Sequence, residues 1–366
     1  MEAPDGLSGG GVDRPGEASL PSRDDKRAGH DEQWVWPATL VDETGKAWPP
    51  LDHSPAPEEV VRWRRRVVFA NDPATVRRRW RLSVLLFVAT ALTTFLAGMI
   101  PGAGVVNPVA LWELPGELRS ALYWNGLQYS AAVMAILVCH EMGHFLQSVR
   151  YRVLASPPYF IPMPITPFGT MGAVIVQGSM FANRRILFDI AVSGPLAGLV
   201  VALPVTAVGL AQSGWFPVPE DYSGVVYGDP LIMRWMAVWI HGPQPPGHEL
   251  ALNPLLFAGW VGIFVTALNL IPIGQLDGGH ILYALIGRRS RYVVRTVIVL
   301  AVGYMVASQN FSYGLLLVLL WVFGIQHPPT ADDSVPLGWG RRLLGWLTLS
   351  FIVVGFTPDP IRLQAP

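Results

Sequence analysis

Two histidines and a glutamate lie close together near the middle of the chain, in the run His140-Glu141-Met142-Gly143-His144. Histidines four positions apart lie on one face of a helix, where both imidazoles can bind a zinc ion. The intervening Glu141 is placed to act as a general base in hydrolysis. Three ionisable groups fall in a run of five residues inside an apolar segment, and such groups are costly to bury without a partner. The pattern therefore predicts a catalytic zinc site. The alternative, hydrogen-bonded packing histidines, would suit a lone buried histidine better.

A third zinc ligand is predicted at Asp277, because a catalytic zinc ion commonly takes three protein groups and leaves one position for water. Asp277 follows the apolar segment 251–273, where Pro272 and the adjacent glycines interrupt a helix. The segments that precede Asp277 and contain the histidines are expected to cross the membrane in the same direction, which places all three groups near one side. The alternative for Asp277 is an ordinary Asp-Gly turn at a helix end.

The composition indicates that a membrane protein must position these groups. The 366 residues are 51% hydrophobic and only 14% charged, which is too apolar for soluble domains. Residues 1–81 hold 13 of the 26 basic and 14 of the 26 acidic side chains, so the rest of the chain is more apolar still. The net charge of zero argues against nucleic-acid binding. The single Cys139 excludes an intramolecular disulfide framework and a cysteine-rich metal cluster.

The charge distribution divides the chain into three parts. We expect a disordered cytoplasmic tail at 1–60, a basic juxtamembrane segment at 61–81 and a membrane domain at 82–366. Arginines before the first apolar run place the N-terminus in the cytoplasm. The apolar segments 292–308 and 311–325 are short and could form one irregular unit. We therefore expect an all-α polytopic membrane protein with about six to seven transmembrane helices. The apolar segments are 82–100, 121–149, 186–211, 251–273, 292–308, 311–325 and 343–356.

The linked motifs resemble those of the site-2 proteases, a family of intramembrane zinc metalloproteases. The run 140–144 matches the HExxH motif of that family, and the small-residue run 193–198 is similar to its motif on the intervening helix. The resemblance implies a three-helix catalytic core at about 122–287, zinc bound by His140, His144 and Asp277, and Glu141 as the catalytic base. The residues that match the NxxPxxxLDG motif of the family are Asn269, Pro272, Leu276, Asp277 and Gly278.

The same resemblance points to the compact branch of the family, without a PDZ or CBS domain, because the loop 212–250 is too short for either. The run 169–173 is also similar to that branch. We expect Gly169, Thr170 and Asn269 to bind substrate, although Asn269 could instead hold a helix end. The segment 157–180 is predicted to be a short membrane-associated strand or hairpin. It either pairs with an unwound substrate by β-augmentation or forms a packed re-entrant loop.

The expected activity is hydrolysis of peptide bonds in or near the transmembrane helices of single-span membrane proteins within the lipid bilayer, with one zinc ion per chain. The active site is expected near the cytoplasmic side of a bacterial inner membrane. The alternative is a polytopic transporter or metal-binding protein that uses buried His, Glu and Asp side chains as a cation path. Asp189 is expected to snorkel or to pair with Arg184 and Arg185. His280 receives no role in the site.

Overall fold

A computed structural model describes residues 73–103, 110–177, 183–218, 224–309, 313–314, 317–318, 320, 327 and 329–364. The chain divides into two compact units, 1–36 and 37–366, and all of the described residues belong to the second. The expected tail at 1–60 and most of the basic segment 61–81 therefore lie outside the described residues, and the three-part division of the chain stays a prediction.

The described part is mostly helical. Short 3-10 helices lie at Ala110–Glu113 and Gly287–Arg289. The α-helices in chain order are α1 (Pro73–Gly98), α2 (Gly116–Arg150), α3 (Arg184–Ala211), α4 (Leu231–His241), α5 (Pro254–Asn269), α6 (Asp277–Ile286), α7 (Ser290–Ser308) and α8 (Trp339–Gly355).

Among the described residues, four helical stretches are long and apolar enough to cross a membrane: Val76–Gly98, Gly116–Arg150, Arg184–Ala211 and the combined stretch Asp277–Ser308. Helix α5 has 16 residues and α8 has 17, so both are shorter than these stretches. The predicted segment 311–325 lies mostly outside the described residues. A mostly helical chain with several helices able to cross a membrane is thus confirmed, whereas the count of six to seven spans stays a prediction.

Helix α5 lies in the middle of the packed helices because its sequence offers no polar face. It contains no charged residue, and most of its side chains are buried, as expected for a helix that is apolar all round. Helix α3 packs against both α2 and α5. Glycines permit this close approach. A Cβ added at Gly143 on α2 would lie 2.5 Å from the carbonyl oxygen of Ser193 on α3, so only glycine fits there.

The chain is interrupted between α5 and α6. Helix α5 ends at Asn269 because Pro272 cannot donate a backbone hydrogen bond and restricts the residue before it. Gly274 has a φ of +55°, a left-handed conformation that few other residues adopt easily. The chain re-enters helical structure at Asp277, which is the first residue of α6. Asp277 therefore belongs to the start of the next helix, not to a turn at the end of α5.

Within the described residues, three two-stranded antiparallel ribbons accompany the helices. Strands β1 (Tyr159–Met163) and β2 (Gly169–Val174) form a hairpin within the segment 157–180 and pack against α1. Strand β3 (Trp215–Pro217) pairs with β5 (His248–Leu250), and β4 (Gly224–Tyr227) pairs with β6 (Ile361–Gln364). The association of the first ribbon with a membrane stays a prediction.

Candidate metal centre

Helix α2 presents His140 and His144 to the interior, one turn apart on the same face. The two residues are 5% and 6% exposed, and Glu141 between them is 4% exposed. Their burial follows from the packing of α2 against α3 and α5. Three ionisable side chains are thus held away from bulk water on one stretch of helix, an arrangement that is stable only when the polar atoms have partners.

Asp277 brings its carboxylate to both imidazoles from the start of α6. Its Oδ2 atom lies 3.2 Å from Nε2 of His140, and its Oδ1 atom lies 3.2 Å from Nε2 of His144. The two Nε2 atoms are 3.3 Å apart. The sequence thus led to the three residues whose potential ligand atoms all lie within 4.8 Å of one another.

These distances fit a tetrahedral zinc ion. Nitrogen and oxygen ligands bind zinc at about 2.0–2.1 Å, so that ligand atoms at tetrahedral angles lie about 3.3 Å from one another. Two imidazole nitrogens with one carboxylate oxygen are also the donor types that zinc takes in catalytic sites. The residues present therefore fit zinc both in spacing and in chemistry.

The orientation of His144 is fixed by helix α3. Its Nδ1 atom donates a hydrogen bond to the carbonyl oxygen of Ile190 over 2.8 Å. This bond places the ring proton on Nδ1 and leaves the lone pair of Nε2 directed at the metal position, as second-shell contacts of metal-binding histidines commonly do. Gly194 allows the imidazole to lie against α3, since a Cβ added there would be 2.0 Å from Nε2 of His144.

Glu141 shares a cavity with the three potential ligands. The cavity has a volume of about 160 Å³ and is lined on one side by α2 and α3 and on another by the turn before α6. Residues 173–175, at the end of β2 and just beyond it, form a further wall. Glu141 therefore lies beside the metal position in a space that can admit water.

The residues expected to bind substrate lie in different surroundings. Asn269 lines the cavity, and its Nδ2 atom is 3.4 Å from Nε2 of His140. Thr170 is buried beside His140, with its hydroxyl donating to the carbonyl oxygen of Ile161. Gly169 lies against helix α1, where its carbonyl oxygen accepts a hydrogen bond from Thr93 over 2.7 Å. The substrate contacts of all three stay predictions.

Several cavity residues were missed from the sequence. Gln275 and Gln177 carry no motif that would mark them. Residues 173–175 lie in the segment expected to form a strand, but their place in the cavity wall was not predicted. His280 had a detectable signal, because it follows Asp277 by three positions and so shares a helical face with it. It lines the cavity, and its Nδ1 atom lies 2.6 Å from Nε2 of His327.

The prediction for Asp189 named the wrong partner. Its carboxylate accepts two hydrogen bonds from Arg341 on α8, at 2.7 and 2.8 Å, and a third from the hydroxyl of Tyr151. Arg185, one of the expected partners, instead donates from Nε to the carbonyl oxygen of Pro336. The proximity of α8 to α3 depends on packing between distant segments, which local sequence does not reveal.

Comparison with known proteins yields a consistent set of relatives. The model of peptidase family M50 matches residues 128–308. The chain is 27% identical to "Probable zinc metalloprotease EGY1, chloroplastic" of Oryza sativa subsp. japonica, over 80% of this chain and 53% of that protein. It is 29% identical to the Arabidopsis thaliana protein of the same name, over 69% of this chain and 46% of the relative.

A third relative, "Probable zinc metalloprotease EGY3, chloroplastic" of Oryza sativa subsp. indica, is 30% identical over 70% of this chain and 45% of its own length. The chain thus spans about half the length of the curated relatives it matches. No solved structure matches it.

Proposed function

This chain belongs to peptidase family M50, the site-2 proteases, and on that premise we propose that it is an intramembrane zinc metalloprotease. It hydrolyses peptide bonds in or near the transmembrane helices of membrane-protein substrates. The observation that carries the proposal is the meeting of two imidazoles and a carboxylate within 4.8 Å, beside the buried Glu141. The transporter alternative is not favoured, because His140, His144 and Asp277 converge on one point.

His140, His144 and Asp277 would hold the metal ion. Zinc bound there supplies a Lewis acid that polarises the scissile carbonyl group. Glu141 accepts a proton from the attacking water and returns it to the leaving amine nitrogen, which is the work of a general acid–base group. Asn269 donates a hydrogen bond from Nδ2 to the substrate backbone, and its position beside His140 supports that assignment.

The size of the cavity favours an unwound substrate. A helix with its side chains is about 10–12 Å across, whereas the cavity beside Glu141 has a volume of only about 160 Å³. An extended segment fits such a space and also exposes its carbonyl groups to attack. The wall at 173–175 supports β-augmentation as the mode of binding, with the substrate lying along the end of β2.

We further infer single-span substrates, a cytoplasmic N-terminus and a cytoplasmic position for the zinc site. These inferences are supported by the arginines before the first apolar run and by the position of His140 and His144 in the second half of α2. The names of the relatives describe those proteins as chloroplastic, and the bacterial inner membrane expected for this chain stays a prediction.

The proposal is tested with the purified full-length protein in liposomes, together with a panel of single-span membrane proteins. Zinc is measured by mass spectrometry and cleavage by electrophoresis, for the native protein and Glu141→Gln. We expect about one zinc ion per chain in both proteins and no cleavage by the variant. Undiminished cleavage by Glu141→Gln would refute the mechanism. Ion flux without proteolysis would favour the transporter.

A further inference from the structure

A second cavity, larger than the one at the metal centre, lies at the opposite end of helix α3. Ile190 near the start of α3 contacts His144, and α3 continues to Ala211, just before β3. At about 1.5 Å per residue, these 21 positions span about 30 Å, which is close to the thickness of the hydrocarbon core of a bilayer. The second cavity is therefore near the face of the membrane opposite to the zinc site, and we name it the distal cavity.

The distal cavity is bounded by residues 101–103, 216–218, 225–233 and 244–252, taken within the described part of the chain. Its volume is about 760 Å³, within the range of about 300–1,000 Å³ that is typical of ligand sites. Most of the wall is apolar and is contributed by side chains such as Phe216, Val226 and Met233. A cavity of this size and lining can bury several apolar side chains.

Two carboxylates interrupt the apolar wall. Asp229 and Glu249 both line the distal cavity, with His248 beside them. Burial and the nearby charge of Glu249 raise the pKa of Asp229 to about 6, and Arg234 opposes this shift without cancelling it. Asp229 is largely shielded from water, whereas Glu249 is exposed at the edge of the cavity. The proximity of the two negative charges favours a positively charged ligand beside them.

The walls of the distal cavity suit an extended peptide. Strands β3, β4 and β5 all contribute to the lining, and each belongs to a ribbon of only two described strands. Ribbons of two strands carry unpaired backbone groups on their outer edges, and such edges accept a further strand. Apolar pockets with acidic groups nearby would then select alternating apolar and basic side chains.

We propose that the distal cavity binds an extended segment containing a basic residue between apolar residues, and that this segment flanks the transmembrane helix of the substrate. The proposal rests on the proposed protease function, which places the scissile bond at the other side of the membrane. A substrate helix would connect the two sites, because about 30 Å is the length of one membrane span. The distal cavity would then select substrates by the sequence outside their span.

Binding is measured without proteolysis, so that it does not depend on catalysis. The full-length Glu141→Gln protein in phosphatidylcholine nanodiscs is titrated with a fluorescein-labelled peptide, Gly-Leu-Val-Arg-Val-Leu-Gly, and with the same peptide containing glutamine in place of arginine. Fluorescence anisotropy gives the two dissociation constants. We expect the arginine peptide to bind about tenfold more tightly at pH 7.5.

Variants then locate the site. Asp229→Asn and Glu249→Gln should each remove most of the preference for arginine, whereas Glu113→Gln, an exposed carboxylate outside the cavity, should leave it unchanged. The carboxyl of Asp229 is charged above a pH of about 6, so the preference should also fall between pH 7.5 and pH 5. Size-exclusion profiles and zinc content verify that each variant is folded.

Equal affinity for the two peptides, or a preference that survives in both variants, would overturn the site. The proposal would also be overturned if peptide binding disappeared in nanodiscs of a lipid with a cationic headgroup while neither variant changed it. That result would assign the cavity to lipid.

A final assay separates this inference from the protease function. Replacing arginine in the flanking segment of a cleaved substrate should raise KM about tenfold with kcat unchanged. An unchanged KM would reject the substrate as the occupant, even if cleavage itself proceeds.

Discussion

Asp277 lies 3.2 Å from the Nε2 atom of His140, although 137 positions separate the two residues along the chain. The contact depends on the packing of α3 between α2 and the segment that contains α5 and α6. A metal centre in this protein would depend on this contact. The two histidines come from a single turn of helix and supply only two of the three protein ligands.

We predict that Asp277→Asn abolishes stable zinc binding. Asparagine keeps the shape of the side chain but removes the negative charge, so the zinc affinity should fall by about 100-fold or more. Mass spectrometry of the purified protein after dialysis measures the metal content. Asp332→Asn is the matched control, because Asp332 is exposed and its carboxylate accepts hydrogen bonds from the backbone N–H and the hydroxyl of Ser334. Full zinc occupancy in Asp277→Asn would remove Asp277 from the ligand set.

The sequence is informative about the metal centre because the relevant signals are local. The spacing of His140 and His144 reflects the helical repeat, and the proline and glycine residues that precede Asp277 mark a break in an apolar helix. The segment with the histidines and the segment before Asp277 are expected to cross the membrane in the same direction. All three side chains are therefore predicted to lie at a common depth. Nothing in this reasoning required knowledge of how the helices pack.

Other features could not be predicted because they depend on packing between distant segments. The pairing of Asp189 with Arg341 requires α8 to lie beside α3, and 152 positions separate the two residues. The position of residues 173–175 in the wall of the metal cavity likewise depends on how the hairpin of β1 and β2 docks. Sequence reasoning recognised a strand in that region but not which of its residues face the cavity.

A glycine on α3 provides a second prediction about zinc. A Cβ at position 194 would lie 2.0 Å from Nε2 of His144, and the hydrogen bond to Ile190 limits how far that ring can move. Gly194→Ala should therefore displace the imidazole and weaken zinc binding by about 10–100-fold. Competition with a fluorescent zinc chelator measures the affinity.

Two further glycines serve as controls for that experiment. A Cβ at Gly198 would be 3.2 Å from Nδ1 of His140, so Gly198→Ala should have a smaller effect on zinc affinity. Gly303→Ala meets no described atom within 4 Å and should leave the affinity unchanged. Equal zinc affinities for the variants at 194 and 303 would show that contact with α3 does not determine the position of His144.

The variant Asn269→Ala distinguishes a role of Asn269 in substrate binding from a role at the end of α5. If its Nδ2 atom donates to the substrate backbone in the transition state, Asn269→Ala should lower kcat/KM by about 100-fold. Zinc content and thermal stability should change little. Asn125→Ala is the control, because Nδ2 of Asn125 donates to the carbonyl oxygen of Met99, far along α2 from the metal centre. Normal cleavage together with a lowered melting temperature would instead assign Asn269 to the end of α5.

The ion pair between Asp189 and Arg341 is expected to hold α8 against the catalytic helices. The side chain of Asp189 is 12% exposed and that of Arg341 is 40% exposed, so the pair is only partly screened by water. Arg341→Gln leaves the poorly solvated carboxylate of Asp189 with the hydrogen bond from Tyr151 and the nearby charge of Arg150. We expect a loss of about 1–3 kcal/mol in the free energy of unfolding, less than for a fully buried pair.

The matched control for this variant is Arg362→Gln. Arg362 pairs with Asp359 near the C-terminus, and its side chain is 65% exposed, so its loss should cost about 0–1 kcal/mol. Thermal unfolding in detergent, followed by tryptophan fluorescence, compares the two variants with the native protein. Arg341→Lys should recover part of the stability, because lysine restores the charge but not the paired geometry of the guanidinium group. Equal melting temperatures for Arg341→Gln and Arg362→Gln would show that the partly buried carboxylate of Asp189 does not need Arg341, and that other contacts hold α8 in place.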